Sequence, residues 1–247
     1  QVLGQLSTAA RRYASPANRT ETVRDVATQM LQLAKDAEAG SDAQFAFVRS
    51  FAGFATTDEQ LDAVAALLDG SLQLDGLEID TDLDWELLQA LVAGGRAGEA
   101  EIAARHEQDR TADGNRSAAH ARAAIPAPDA KRAAWASVWT NDGATNDVVR
   151  ATIAGFWHTD SEELVEPFVS EYFDGILSVW NSRSYHIAEF LLEGFFPVAL
   201  ASDDVVNRAQ AWLRDHEDEP AALRRIIREG LDDVERALRA QARDAKA

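Results

Sequence analysis

Residues 220–238 read PAALRRIIREGLDDVERAL and decide the fold. Apolar side chains recur three and four positions apart, which is the spacing of one face of an α-helix; they are Leu223, Ile226, Ile227, Leu231, Val234 and Leu238. Pro220 suits the first turn because its missing N–H has no helical partner there. The opposite face carries arginine, aspartate and glutamate, as is typical of a solvated surface. The stretch therefore predicts a helix with one buried face.

The same periodicity extends over most of the remaining chain, and glycine and proline are sparse, at 14 and 6 of 247 residues. The residues around Thr56 and Glu59 resemble a capping box at a helix start. Only Ser71–Ile79 resembles a strand. Besides helices after Thr56 and Asp82 and one before Ser15, the spacing predicts helices at about 20–38, 43–55, 98–109, 116–125, 129–140, 145–157, 167–181, 184–195 and 202–216.

Taken in pairs, these segments form helical hairpins that repeat roughly every forty residues, as in HEAT and armadillo arrays. We therefore predict an all-α fold, with hairpins stacked in a HEAT/armadillo-like curved α-α superhelix that forms a single domain over residues 1–247. The six tryptophans lie in apolar stripes, which favours a role in the core. No residue pattern recurs strictly, so a compact helical bundle remains an alternative.

Composition excludes several classes of function. A net charge of −18 repels nucleic acid and anionic membrane surfaces. The absence of cysteine excludes disulfides, cysteine zinc sites and iron–sulfur clusters. No apolar run approaches the roughly 18 residues of a membrane helix. Because the chain opens at Gln1 rather than at a methionine, we expect it to be a fragment of a longer protein.

Residues for catalysis or metal binding are not evident. None of the five histidines has a second histidine three or four positions on, and His106-Glu107 meets Arg110 where a zincin helix needs histidine. No Gly-x-Ser-x-Gly element is present, and the acidic clusters lack the order of an EF-hand. We predict no catalytic and no metal-binding residues in this chain. An enzyme with an unrecognised carboxylate site is the least favoured alternative.

The candidate binding residues lie in Trp180–His186, at a predicted corner between two helices. Arg183 can hold a peptide carboxylate by paired hydrogen bonds, and Tyr185 can add a donor. The substrate-binding candidates are therefore Arg183, Tyr185 and His186. The alternative is that these residues make ordinary capping contacts at the corner.

Several stretches, taken in their order, resemble the C-terminal helical domain of the actinobacterial form of aminopeptidase N. They are Leu83–Leu91, Glu101-Ile102, Asp109–Gly114, Ala121–Ala124, Lys131–Trp135, Tyr172-Phe173 through Trp180 to Phe196-Pro197, Leu223–Gly230 and Val234–Gln241. Together these stretches cover most of the chain.

This resemblance implies a zinc aminopeptidase whose catalytic domain precedes this chain and whose helical array folds over the active-site opening. Its partners would be that catalytic domain and a peptide substrate, its zinc would lie in the catalytic domain, and we expect a cytoplasmic location. The family's His-Glu-x-x-His helix and Gly-x-Met-x-Asn loop have no match here, so no catalytic residue carries over. The alternative function is an independent α-solenoid scaffold for protein partners.

Overall fold

The computed structural model describes residues 2–246, which contain no β-strand and form thirteen α-helices. The helices are Val2–Thr8 (α1), Pro16–Asp36 (α2), Asp42–Phe54 (α3), Asp58–Leu68 (α4), Thr81–Ala93 (α5), Glu99–Gln108 (α6), Ala112–Ala124 (α7), Pro128–Trp135 (α8), Asn146–Phe156 (α9), Phe168–Ser182 (α10), Tyr185–Gly194 (α11), Asp203–Asp215 (α12) and Ala221–Asp244 (α13). Ala9–Tyr13 and Ala136–Thr140 are π-helical, and Glu162–Leu164 and Val198–Leu200 are 3₁₀ turns. The stretch at 71–79 that resembled a strand is an irregular loop.

Hydroxyl and carboxylate side chains begin many of the helices. Each accepts a hydrogen bond from the backbone N–H three residues on, a group that has no partner within the helix; they are Ser41, Thr57, Asp80, Thr111, Thr145 and Ser202. The capping box of α4 lies one residue later than the sequence suggested. Thr57 Oγ1 accepts from Gln60 N–H at 3.3 Å, and Gln60 Oε1 accepts from Thr57 N–H at 3.3 Å.

Consecutive helices pair as hairpins, and one helix of each hairpin belongs to an inner layer. The inner helices α3, α5, α7, α9, α11 and α13 contact one another in that order, and α2, α4, α6, α8, α10 and α12 each pack beside the inner helix that follows them. The predicted all-α fold of stacked helical hairpins is confirmed.

The two ends of the array contact each other. The π-helical segment Ala9–Tyr13 packs against α13. Ser15 N–H donates to Asp244 Oδ2 at 2.8 Å, and Gln241 Nε2 donates to the carbonyl oxygen of Arg12 at 2.8 Å. The segment before α2 therefore joins the two ends of the array, which the sequence pattern did not predict.

Buried apolar side chains form three clusters along the array. The first two helical hairpins enclose one cluster, the contacts between α5, α6 and α7 enclose a small one, and the helices from α7 onward enclose the largest. All six tryptophans belong to these clusters or pack against them, which confirms their predicted role in the core; they are Trp85, Trp135, Trp139, Trp157, Trp180 and Trp212.

Candidate functional site

The inner helices line a groove, formed by two adjoining cavities of about 450 and 660 Å³. Helices α3, α5 and α7 contribute the residues shared by both cavities, and α9 adds the wall of the smaller one. We call this the inner groove and define it by Arg49, Glu86, Gln89, His120 and Arg150. The smaller cavity is lined mostly by charged side chains, whereas Leu3, Phe45 and Phe54 also line the larger one.

Arg49 and Arg150 of the inner groove differ in whether a carboxylate pairs with them. Arg49 forms a two-point ion pair with Glu86, in which Nε lies 2.6 Å from Oε2, and this contact raises the pKa of Arg49. Arg150 is exposed, and its guanidinium carbon lies 3.9 Å from the centre of the Phe190 ring. Within residues 2–246 no carboxylate lies within ion-pairing distance of Arg150. Arg116, which also lines the smaller cavity, pairs with Asp113, so Arg150 can receive an added anion without breaking an ion pair among the described residues.

Arg183, the first of the predicted binding residues, serves the backbone of a neighbouring segment. Its Nη2 donates to the carbonyl oxygens of Trp139 and Asn141 at 3.0 and 2.8 Å, and only 7% of its side chain is exposed. Asp142 lies 3.9 Å from Nη1. These bonds satisfy carbonyl groups at the end of the π-helical segment Ala136–Thr140.

Tyr185 and His186 lie at the start of α11, and their rings are 5.6 Å apart. The Tyr185 hydroxyl donates to Glu189 Oε1 at 3.0 Å, and Arg225 from α13 donates to the same oxygen at 3.1 Å. Both Tyr185 and His186 are exposed. The structure thus brings Tyr185 and His186 together, while the guanidinium of Arg183 is used elsewhere. A role for these three residues in substrate binding stays a prediction.

Two histidines that no sequence pattern joined face each other across the inner groove. His120 Nε2 and His158 Nδ1 are 3.3 Å apart, although 38 positions separate the residues. Burial is the main cause that lowers the pKa of His120 to about 4 and that of His158 to about 3. Both imidazoles are therefore neutral near pH 7. No spacing rule could find this pair, because packing of α7 against the end of α9 creates it.

Lys131 links the C-terminal ends of α7 and α9, the same two helices that bring the histidines together. Its side chain is completely buried, and Nζ donates to the carbonyl oxygens of Ala123, Phe156 and Gly155 at 2.7, 2.9 and 3.3 Å. These carbonyls lie at the C-terminal ends of α7 and α9, where helical N–H donors run out. The carbonyl oxygen of Gly155 also accepts from the backbone N–H of His158 at 3.1 Å. Burial lowers the pKa of Lys131 to about 7.

Groups of three or more histidine, aspartate or glutamate side chains arranged to hold a metal ion do not occur in the part of the chain that the structure describes. No helix between residues 2 and 246 is long and apolar enough to cross a membrane.

Comparison with known proteins identifies the helical array. The model of the family described as "ERAP1-like C-terminal domain" matches residues 1–236. The chain belongs to this family. An aminopeptidase N of Streptomyces lividans is 45% identical to this ERAP1-like domain over 243 residues, or 98% of the chain. The resemblance to the C-terminal domain of actinobacterial aminopeptidase N is therefore confirmed. The ERAP1-like domain spans 28% of the length of that relative.

Proposed function

We propose that this chain is the C-terminal accessory domain of a zinc aminopeptidase that removes residues from the N-termini of peptides. The observation that carries the proposal is 45% identity to an aminopeptidase N across 98% of this chain. In this account the catalytic domain and its zinc lie in the preceding part of a longer, cytoplasmic protein, and this chain alone is inactive. The helical array covers the active-site opening and controls which peptides reach it.

A charged side chain in the inner groove supports the proposed contact with the far end of a peptide. A peptide whose N-terminus is held at a catalytic site has a remote end that carries a carboxylate, and a guanidinium without an ion-pair partner can receive that carboxylate. Arg150 is such a guanidinium, and the ring of Phe190 beneath it holds it in place. Such a remote contact lowers the barrier to bond cleavage when it positions the peptide for reaction.

The corner residues offer a second, weaker contact. Tyr185 and His186 are exposed and lie beside the carboxylate of Glu189. They can donate hydrogen bonds to a peptide, whereas Arg183 would first have to release the carbonyl groups of Trp139 and Asn141. We therefore place Arg150 ahead of Arg183 as the residue that binds the peptide carboxylate.

The test uses the longer enzyme with Arg150→Gln and compares kcat/KM for peptides of increasing length with kcat/KM for a small aminoacyl amide. A lost charge-assisted hydrogen bond is worth about 1.5–3 kcal/mol, so we expect a loss of roughly 10- to 100-fold for the longer peptides. The amide should be cleaved at the original rate, because it has no remote carboxylate. Arg150→Lys should restore part of the loss.

The matched control is Arg208→Gln on the outer helix α12, where Arg208 pairs with Asp204 at 2.7 Å. This variant changes the same net charge away from the groove and should leave every substrate unaffected. Equal losses at all peptide lengths in the Arg150 variant would mean that the array only stabilises the catalytic domain. Full activity of the purified 247-residue chain would contradict the proposal as a whole.

A further inference from the structure

The facing histidines of the inner groove have the spacing of two ligands on one metal ion. In a tetrahedral site the metal–nitrogen distance is about 2.0–2.1 Å. With such bonds, the 3.3 Å between His120 Nε2 and His158 Nδ1 corresponds to an angle of about 104–111° at the metal, which includes the tetrahedral value. The two rings are nearly perpendicular, at 82°, and their centres are 5.6 Å apart.

The pair also opens onto space for further ligands. His120 and His158 both line the 660 Å³ cavity of the inner groove. No third histidine, aspartate or glutamate joins them within residues 2–246, so water or a ligand from solution would complete the coordination sphere. Imidazole nitrogen is a ligand that suits Zn²⁺, Cu²⁺ and Ni²⁺, whereas Mg²⁺ and Ca²⁺ require oxygen ligands.

Metal binding at the pair requires only that one proton moves within a ring. In the metal-free pair one imidazole N–H donates to the bare nitrogen of the other ring. A bound ion needs both facing nitrogens bare, and the donor ring meets this need when its proton moves to its other nitrogen. Both rings stay neutral throughout, and neither needs to lose a proton to solvent near neutral pH.

Two positively charged side chains near the pair oppose a bound cation, and other groups offset them. Arg11 and Lys131 both lie close enough to lower the pKa of His158. The Arg11 guanidinium is neutralised by Asp160 at 3.1 Å, and the Lys131 ammonium is surrounded by three carbonyl oxygens. His158 follows the C-terminal end of α9, where the helix dipole favours positive charge, and the net charge of −18 attracts cations to the protein.

We propose that His120 and His158 form a two-histidine site for a transition-metal ion of the Zn²⁺ and Cu²⁺ class at the inner groove. The ion would link α7 to the loop between α9 and α10. That loop is already tied to the π-helical segment Ala9–Tyr13 by the ion pair of Arg11 with Asp160, and to α2 by the ion pair of Arg19 with Glu162. Metal binding would therefore brace α7 against the loop that contacts Ala9–Tyr13 and α2.

The test is a calorimetric titration of the 247-residue chain, without a polyhistidine tag, with Cu²⁺, Zn²⁺ and Mg²⁺. We expect one equivalent of Cu²⁺ to bind most tightly, Zn²⁺ to bind more weakly, and Mg²⁺ not to bind. His120→Asn and His158→Asn should each weaken binding by at least about tenfold, since loss even of an outer-shell partner has that effect. His186→Asn, which removes an exposed histidine outside the pair, is the matched control.

Electron paramagnetic resonance of the Cu²⁺ complex gives a second readout. The spectrum should show coupling to two nitrogens in the wild type and to one in each variant. Far-ultraviolet circular dichroism verifies folding, and His158→Asn, in a loop, keeps the test valid if His120→Asn within α7 fails to fold. Absence of stoichiometric binding in the wild type, or unchanged affinity in the His158 variant, would overturn the proposal and leave the pair as a simple hydrogen bond.

Discussion

Replacement of Lys131 by methionine tests how the inner layer is held together. Methionine has a similar length and is apolar, so the change removes the amine without opening a large cavity. Three hydrogen bonds disappear, and the carbonyl oxygens of Ala123 and Phe156 lose their donor, while that of Gly155 keeps the backbone N–H of His158 at 3.1 Å. Because these carbonyls end α7 and α9, the variant should loosen the contact between the two helices that form the wall of the inner groove.

Two opposing terms set the size of the effect near pH 7. A net contribution of about 0.5–1.5 kcal/mol for each hydrogen bond, and about 1–3 kcal/mol for each buried carbonyl left without a donor, favours the wild type. Methionine avoids the cost of burying an amine, which offsets part of this loss. We expect Lys131→Met to lower the free energy of unfolding by about 2–4 kcal/mol.

The pH dependence gives the sharper result. Burial lowers the pKa of Lys131 to about 7, below its ordinary value of 10.5. Between these values the unfolded chain binds more protons at this residue than the folded chain, so the contribution of Lys131 to stability rises with pH. One pKa unit corresponds to 1.36 kcal/mol, and from about pH 7 to about pH 9 the wild type should gain about 2 kcal/mol over the variant.

Urea unfolding followed by circular dichroism at several pH values measures both quantities. Lys35→Met, which removes an exposed lysine from α2, controls for the loss of one positive charge and should show no such pH dependence. A constant difference between wild type and the Lys131 variant would refute the reasoning on pKa. Such a result would mean that the three carbonyl oxygens stabilise the buried ammonium as well as water does, so that burial does not lower the pKa of Lys131.

The remaining predictions concern the packing of α9 against α7 and a hydrogen bond between α10 and α11. Gly155→Ala should destabilise the chain by several kcal/mol in urea unfolding, because a Cβ atom would lie 2.1 Å from the carbonyl oxygen of His120 and would force α9 away from α7. The control Gly53→Ala adds a Cβ atom with nothing within 4 Å, so it should be neutral or stabilise α3 by about 0.5–1 kcal/mol. Equal effects of the two changes would contradict this account. Tyr172→Phe should cost about 1–3 kcal/mol in thermal or urea unfolding, because the buried hydroxyl donates to the carbonyl oxygen of Leu192 at 2.7 Å, and an unchanged midpoint would show that this carbonyl finds another donor.

Periodicity alone predicted the helices and their pairing, because burial of one face imposes a 3.6-residue repeat on each segment. The match is closest in the last helix, where the predicted stripe supplies the buried Leu223, Ile226, Ile227 and Val234 of α13. Exact starts were less predictable. The capping box of α4 uses Thr57 and Gln60 rather than Thr56 and Glu59, since neighbouring threonines offer the same hydroxyl and only the backbone path selects one.

The candidate site was less accessible to such reasoning. The sequence places Arg183, Tyr185 and His186 at a corner between two helices, yet Arg183 donates to carbonyl groups more than forty positions earlier in the chain, Trp139 among them. Arg150 lies in an ordinary helical stretch, and nothing in its neighbours along the chain shows that it forms no ion pair within residues 2–246. Availability of a charged group depends on what packs around it.

The sequence by itself determined the helical class, the hairpin order and the family of this chain, because these depend on local periodicity and on the order of short stretches. Only the tertiary structure decided that the two ends of the array meet, that His120 faces His158, and that Lys131 is buried among helix ends. Each of these contacts joins residues whose spacing along the chain follows no helical repeat. Their geometry depends on how closely whole helices approach, which is set by side-chain shape and by a small residue such as Gly155 at the point of contact.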